Sequence, residues 1–374
     1  MLRATGGAVA GLAATGFAAA DPDDLVEVNV GFANRTGRAK AVDAATEVVR
    51  EFAFDAITIR LPKKAVSGLE NNPNVRYVEE NGEMRALAQT LPWGIDRVDA
   101  EVAHANGETG SGADVAIIDT GIDSDHPDLQ ANLGTGNAVV QCKGSPNKTC
   151  RQPWDDDNGH GTHCAGIADG IDDTEGVVGV STQATLHAVK VLDKQGSGSF
   201  SDIAAGIQWT ADQGYDVGSM SLGASSGSQT IKDACQYADD NGVLLVAAAG
   251  NSGPCTDCVG YPAAYSTVMA VSSTASDDSL SDFSSTGPEV EIAAPGSNIY
   301  STYYGGGYDT LSGTSMACPH VAGGGAQLMA NGYTNTEARD RLTGTAEDLG
   351  LASNEQGSGL LDVAAALGLD SSDD

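Results

Sequence analysis

The sequence predicts an α/β protein: a doubly wound parallel sheet flanked by helices, preceded by a small α+β unit. Three observations carry the prediction. From residue 114 onward, short apolar runs bounded by polar residues alternate with stretches of helical apolar spacing, and runs that are apolar throughout mark strands buried on both faces by crossover helices. Before residue 88 the strands alternate apolar and polar residues instead, as strands with one solvated face do. The 374 residues suffice for one large and one small domain, and 48 glycines with 5% aromatics suit a compact chain with many tight turns.

Residues 1–20, MLRATGGAVAGLAATGFAAA, read as an export signal. Arg3 supplies the positive end, a weakly apolar run follows, and Ala18, Ala19 and Ala20 offer small residues for cleavage. The stretch looks like the tail of a twin-arginine signal without its arginine pair; a disordered tail is the alternative. Residues 21–87 form the small unit. Residues 26–30 alternate as a strand, 40–50 have helical spacing, 54–59 and 75–80 alternate again, and 65–69 suit a short helix before the turn at Asn71, Asn72 and Pro73. This order suggests a ferredoxin-like module. Residues 88–374 form the main domain, with strands at 114–118, 185–192, 217–222, 243–249 and 268–272 and helices at 200–213, 229–241 and 315–330. In such sheets functional residues sit at the carboxyl ends of strands, where Asp119 stands.

The formal charge is 19 − 51 = −32, and the acids are spread along the whole chain. This excludes a nucleic-acid groove as the default, since phosphate binding requires a positive surface. No run of 18 apolar residues follows the N-terminus, so no transmembrane helix is expected. At 1 M salt the Debye length is about 3 Å, and a carboxylate-rich surface then repels itself little and stays soluble. Adaptation to high salt is the expectation; an ordinary acidic exported protein is the alternative.

Three segments carry chemistry. Asp119-Thr120-Gly121 follows the first strand of the main domain, Asn158-Gly159-His160-Gly161-Thr162-His163 opens a helix, and Gly313-Thr314-Ser315-Met316-Ala317 sets a serine in a helix's first turn, where backbone N–H groups and the dipole favour developing negative charge. A serine hydroxyl needs a base to take its proton, histidine is that base, and a buried carboxylate fixes its tautomer. These motifs, in the chain order Asp, His, Ser, resemble those of subtilisin-like serine proteases, and the acidity resembles that of the halolysins of halophilic archaea. The resemblance is dense over 88–374 and looser over 25–87. It implies that Asp119 orients, His160 is the base and Ser315 the nucleophile of a serine endopeptidase, with the Asn251 amide and the Ser315 N–H as oxyanion hole. His163, His104, His126, His187 and His320 keep a structural reading.

The resemblance further implies that Gly196, Ser197 and Gly198 and Ser221, Leu222 and Gly223 sandwich the substrate backbone as an added strand, which tolerates many sequences. Ala248, Ala249 and Gly250 would line the pocket for the residue before the cut, Gly260 would leave it deep, and Phe200 and Ile203 would form an apolar pocket further upstream. Broad specificity with a preference for large apolar residues follows. Ser219 stands where relatives often carry Asn. Residues 21–87 would be an inhibitory propeptide ending at Leu87, with Met84 in the upstream pocket and Ala88 as the mature start; a permanent accessory domain is the alternative. Calcium, a hard ion taking oxygen ligands, would be held by the Asp173 side chain, the carbonyls of Ile171, Glu175 and Val177, and Asp128 and Gln89. Glu175 departs from the usual apolar residue, which a backbone ligand tolerates.

Among seven cysteines, Cys142 with Cys150 and Cys255 with Cys258 are plausible disulfides in an exported protein. The second pair also reads as a CxxC site, without the matching pair that zinc would need. Cys164, Cys235 and Cys318 remain, and neither Cys164 nor Cys318 occupies the nucleophile position. Asn147-Lys148-Thr149 is a glycosylation sequon. The expectation is a secreted, monomeric endopeptidase acting on proteins and peptides, inhibited by its own propeptide, with no nucleic-acid or membrane partner. Its rivals are an intracellular maturation protease and a peptide-binding protein on a decayed protease fold.

Overall fold

The computed structural model describes residues 25–81, 89–144 and 149–371. The expectations for residues 1–20, Met84, Leu87, Ala88 and Asn147 lie outside the described residues. The chain falls into two compact units, Met1–Ala86 and Leu87–Asp374.

In the first unit β1 (Leu25–Phe32), α1 (Arg35–Ala44), β2 (Glu47–Glu51), β3 (Ala56–Pro62), α2 (Val66–Glu70) and β4 (Val75–Glu80) follow one another. The sheet order is β2-β3-β1-β4 with antiparallel pairs, the split arrangement of ferredoxin-like folds. The helix expected at 40–50 is displaced toward the N-terminus. Asn34 caps it, its side chain accepting from the Thr36 and Gly37 N–H groups, which fixes the start at Arg35. Residues read as its tail instead form the edge strand β2, where β-branched Val48 and Val49 suit a pleated backbone better than a helix. Val28, Val30, Ile57, Ile59 and Leu61 meet Ala41 and Leu69 in this unit's core.

The second unit begins with two short helices, α3 (Trp93–Asp96) and α4 (Ala100–Ala105). Then come β5 (Asp114–Asp119), β6 (Asn137–Ala138), α5 (His160–Asp169), β7 (Thr185–Lys190), α6 (Phe200–Gln213), β8 (Val217–Met220), α7 (Gln229–Asp240), β9 (Leu244–Ala248), β10 (Met269–Thr274) and β11 (Val290–Pro295). A hairpin of β12 (Ile299–Tyr303) and β13 (Gly307–Leu311) leads into α8 (Thr314–Ala330), α9 (Asn335–Gly344), α10 (Ser353–Gln356) and α11 (Val363–Leu367). Seven strands form one sheet, β11-β10-β9-β8-β5-β7-β6, every pair parallel. Successive strand residues face opposite layers. Val115 and Ile117 of β5 join the apolar cluster of α5 and α8; Ala116 and Ile118 join that of α6 and α7. Strands β6 and β11 and the hairpin were not anticipated, and β8 ends at Met220, leaving 221–223 free of the sheet. Among the described residues no helix is long and apolar enough to cross a membrane.

Candidate active site

The crossovers bring three element ends together. Asp119 is the last residue of β5 and His160 the first of α5, while Ser315 lies in the first turn of α8. Gly161 is required by close approach: a Cβ there would run into the Gly121 carbonyl. His160 Nδ1 stands 2.8 and 3.0 Å from the two carboxylate oxygens of Asp119. Nδ1 must carry the proton to donate there, which leaves the Nε2 lone pair free to act as a base. Asp119 is fully buried, and its Oδ1 also accepts from the Thr120 N–H at 2.7 Å. Burial pulls the His160 pKa down, but the charge and hydrogen bond of Asp119, with a smaller contribution from Asp156, outweigh it and hold the pKa above its ordinary value of 6.5.

Asp156 and Lys190 support this pair, and sequence reasoning missed both. The buried Asp156 carboxylate accepts from Thr120 Oγ1 at 2.9 Å and from Thr162 N and Oγ1 at 2.9 and 2.6 Å, so it braces the residue after Asp119 against the His160 helix. Lys190 has no exposed side-chain surface. Its ammonium donates to Thr120 O at 2.6 Å, Asp157 Oδ1 at 2.7 Å and Leu192 O at 3.0 Å, which satisfies all three protons, as a buried charge requires. The available signal was a lysine inside an apolar strand.

The structural reading of the other histidines stands. His163 shares its Nε2 between the carbonyls of Ile299 and Asp309 at 3.1 Å each, and burial, aided by the charge of His160, lowers its pKa to about 4. His104, His126 and His320 each hold a backbone carbonyl at 2.8 Å, and His187 contacts Thr135 O and Asp114.

Pro319 lies within α8 and has no N–H for the Ser315 carbonyl one turn earlier. Two side chains take the place of that donor: Ser221 Oγ at 2.8 Å and Cys164 Sγ at 3.4 Å. The Ser315 hydroxyl in turn donates to Ser221 O at 3.3 Å. The nucleophile candidate and segment 221–223 are thus bonded reciprocally. Cys164 Sγ also lies within 4.8 Å of ligand atoms of Asp119 and His160, so all three segments converge on it. The thiol is no nucleophile, because burial raises its pKa well above 9.0, and burial likewise raises Cys318 to about 11.

Asn251 follows β9. Its Oδ1 accepts from Thr314 N at 2.9 Å and Thr314 Oγ1 at 3.0 Å, and among the described residues nothing accepts from its Nδ2. The amide is therefore fixed at one end and free to donate at the other. Asn251 and Ser315 line a cavity of about 530 Å³ together with Ser221, Leu222, Gly223, Ala248, Gly250 and Gly260. An adjoining cavity of about 480 Å³ is lined by His160, Gly196, Ser197, Gly198, Phe200, Ile203 and again 221–223. One residue is corrected. Ala249 is fully buried and does not line the cavity; its N–H bonds Val271 O and its carbonyl accepts from Gly260, so only its neighbours Ala248 and Gly250 face the opening. Asp257 and Tyr261, which line these walls, were not read from sequence.

The proposed calcium residues also come together. Gly176 holds φ +65°, and a Cβ there would collide with Asp128. The Gln89 amide reaches Ile171 O at 2.6 Å and Val177 O at 3.4 Å, Asp128 Oδ2 accepts from Val177 N at 2.8 Å, and Asp173 Oδ1 accepts from Glu175 N at 2.7 Å. Burial raises the Asp128 pKa, and the charges of Asp173 and Glu175 add to it against hydrogen bonds from Val177 and Tyr308. Cys142–Cys150 and Cys255–Cys258 are both bonded, with Cα separations of 6.0 and 6.2 Å, and the three remaining cysteines are buried.

Comparison with known proteins agrees with this geometry. The model of the Subtilase family (Peptidase_S8) matches residues 110–359. An alkaline protease of Alkalihalobacillus alcalophilus is 43% identical over 323 residues, covering 86% of this chain and 81% of that one. The thermostable alkaline protease of Halalkalibacterium halodurans is 43% identical over 323 residues, covering 86% and 85%. Subtilisin E of Bacillus subtilis (strain 168) is 42% identical over 337 residues, covering 88% and 86%. With a seven-stranded parallel sheet between helix layers and an Asp–His pair beside a helix-borne serine, the chain belongs to the subtilase family and is a subtilisin-type serine endopeptidase.

Proposed function

We propose that Asp119, His160 and Ser315 form the catalytic triad of a secreted endopeptidase of broad specificity, adapted to high salt. The carrying observation is the bonded Asp119–His160 pair, with Nε2 left as base, converging with Ser315 and a half-free Asn251 amide. In this mechanism the Ser315 hydroxyl turns from Ser221 O toward His160 Nε2, gives up its proton and attacks the peptide carbonyl. Asp119 steadies the imidazolium. Asn251 Nδ2 and the Ser315 N–H stabilise the oxyanion. His160 then protonates the leaving amine, and a water deprotonated by the same ring releases the acyl group. Segments 196–198 and 221–223, outside the sheet, pair with the substrate backbone. The cavity beside Ser315 takes the residue before the cut and has room for large apolar side chains.

Casein hydrolysis measured from low to multimolar salt, with labelling of Ser315 by a serine-directed sulfonyl fluoride, tests this reading. Labelling and a rate that rises with salt are expected. A rate falling steadily with salt removes the salt adaptation and leaves the protease. A folded, correctly trimmed chain without labelling or hydrolysis favours the peptide-binding alternative.

The unit before residue 88 acts in this proposal as an inhibitory propeptide removed between Leu87 and Ala88. Calcium fits the site at 171–177: a cation there relieves the mutual repulsion of Asp128, Asp173 and Glu175, and turning the Gln89 amide over presents its oxygen beside the carbonyls of Ile171 and Val177. The ion would supply structural stabilisation only. At free calcium about 100 times its Kd a single site adds about 2.7 kcal/mol. Chelation is therefore expected to lower the Tm of the inhibited enzyme, with restoration by calcium and not by magnesium; an unchanged Tm counts against the site.

A further inference from the structure

The cavity beside Ser315 holds one carboxylate. Its lining is otherwise small, polar or apolar, with Ala248, Gly250, Val259 and Gly260 among its walls. Asp257 is exposed, and among the described residues no hydrogen bond or ion pair occupies its carboxylate. The disulfide between Cys255 and Cys258 closes a short ring around it, and the Cys258 N–H is anchored to Thr286 O at 2.9 Å, so the charge is carried on a constrained loop. Asp257 Oδ1 lies 3.7 Å, and Glu289 Oε2 2.9 Å, from where a Cβ on Gly287 would stand, so Glu289 adds a second negative charge close by. No lysine or arginine lines either cavity among the described residues.

We infer that Asp257 is a specificity-determining residue, and that the substrate class of this cavity includes peptides with lysine or arginine on the carbonyl side of the cut bond. This rests on the reading of the cavity as the site for that residue. The chemistry is that of an amphipathic side chain. The methylene stem lies along the apolar walls, where a large apolar side chain also lies, and the cationic head continues to Asp257. The pair is solvent-exposed, so its strength is that of a surface ion pair and is screened by salt.

The test compares kcat/KM for two peptide anilides identical except for lysine or methionine before the cut, which match in length and differ in charge. Wild type, Asp257→Asn and Asp257→Glu are assayed from the lowest salt that sustains activity upward. The lysine-to-methionine ratio is expected to fall about fivefold in Asp257→Asn at the lowest salt, to persist in Asp257→Glu, and to converge between wild type and Asp257→Asn in multimolar salt. An unchanged ratio in Asp257→Asn, with methionine still cleaved, overturns the inference and leaves the protease reading intact. Failure of wild type to cleave either peptide overturns the reading beneath it as well.

Discussion

Ser315→Ala is expected to lower kcat by about 10⁶-fold, as loss of the catalytic serine does in subtilisin. The physical reason lies in the pair left behind. Without the hydroxyl, the Nε2 lone pair has no proton to take and no acyl-enzyme forms, so the remaining acceleration comes from binding and the oxyanion donors alone. The side chain lost is small, and the Ser315 carbonyl keeps its bonds from Ser221 and Cys164, so the fold should survive; near-UV circular dichroism checks this. The same variant tests the propeptide. If the enzyme trims itself, Ser315→Ala keeps residues 21–87 by intact mass, and added wild type removes them. A variant that matures alone would show another protease at work, and a kcat within tenfold of wild type would remove Ser315 from the chemistry.

Asp119→Asn is expected to lower kcat by about 10⁴-fold at neutral pH and to move the acid limb of the pH profile. An asparagine amide donates where the carboxylate accepts, so it turns the imidazole to the tautomer with its proton on Nε2, where the base is needed. The charge that raises the His160 pKa is lost too. The direction follows from the base having to be neutral. In wild type kcat/KM falls as pH drops through a midpoint above 6.5, and in Asp119→Asn the residual activity falls through a lower midpoint. A midpoint that stays in place would assign the limb to another group, and a loss below about tenfold would deny Asp119 its orienting role.

The layers of the main domain were legible from residue order, because runs apolar throughout suit strands buried on both faces between helices, and β5 divides its residues between two cores as that period demands. Residue order also determined which residue types could act, since a serine, a histidine and an aspartate in these local settings were legible as motifs. Local signals lost to tertiary pairing elsewhere. Residues 47–50, the end of the 40–50 stretch with helical spacing, instead lie in strand β2, because pairing along β3 and the cap at Asn34 place the helix earlier. The family resemblance implies Ala249 as pocket wall, yet it is fully buried, with backbone bonds to Val271 and Gly260. The supporting contacts emerged with the folded chain: the Lys190 ammonium among Thr120, Asp157 and Leu192, the Asp156 brace, and the side chains that replace the donor missing at Pro319. All but the Lys190–Leu192 bond join residues far apart in the chain, and a hydrogen bond depends on distance and direction in space, which no local pattern encodes. Asp257 shows the same limit, since one more aspartate in an acidic chain becomes distinctive only when the fold sets it in the cavity of Ser315.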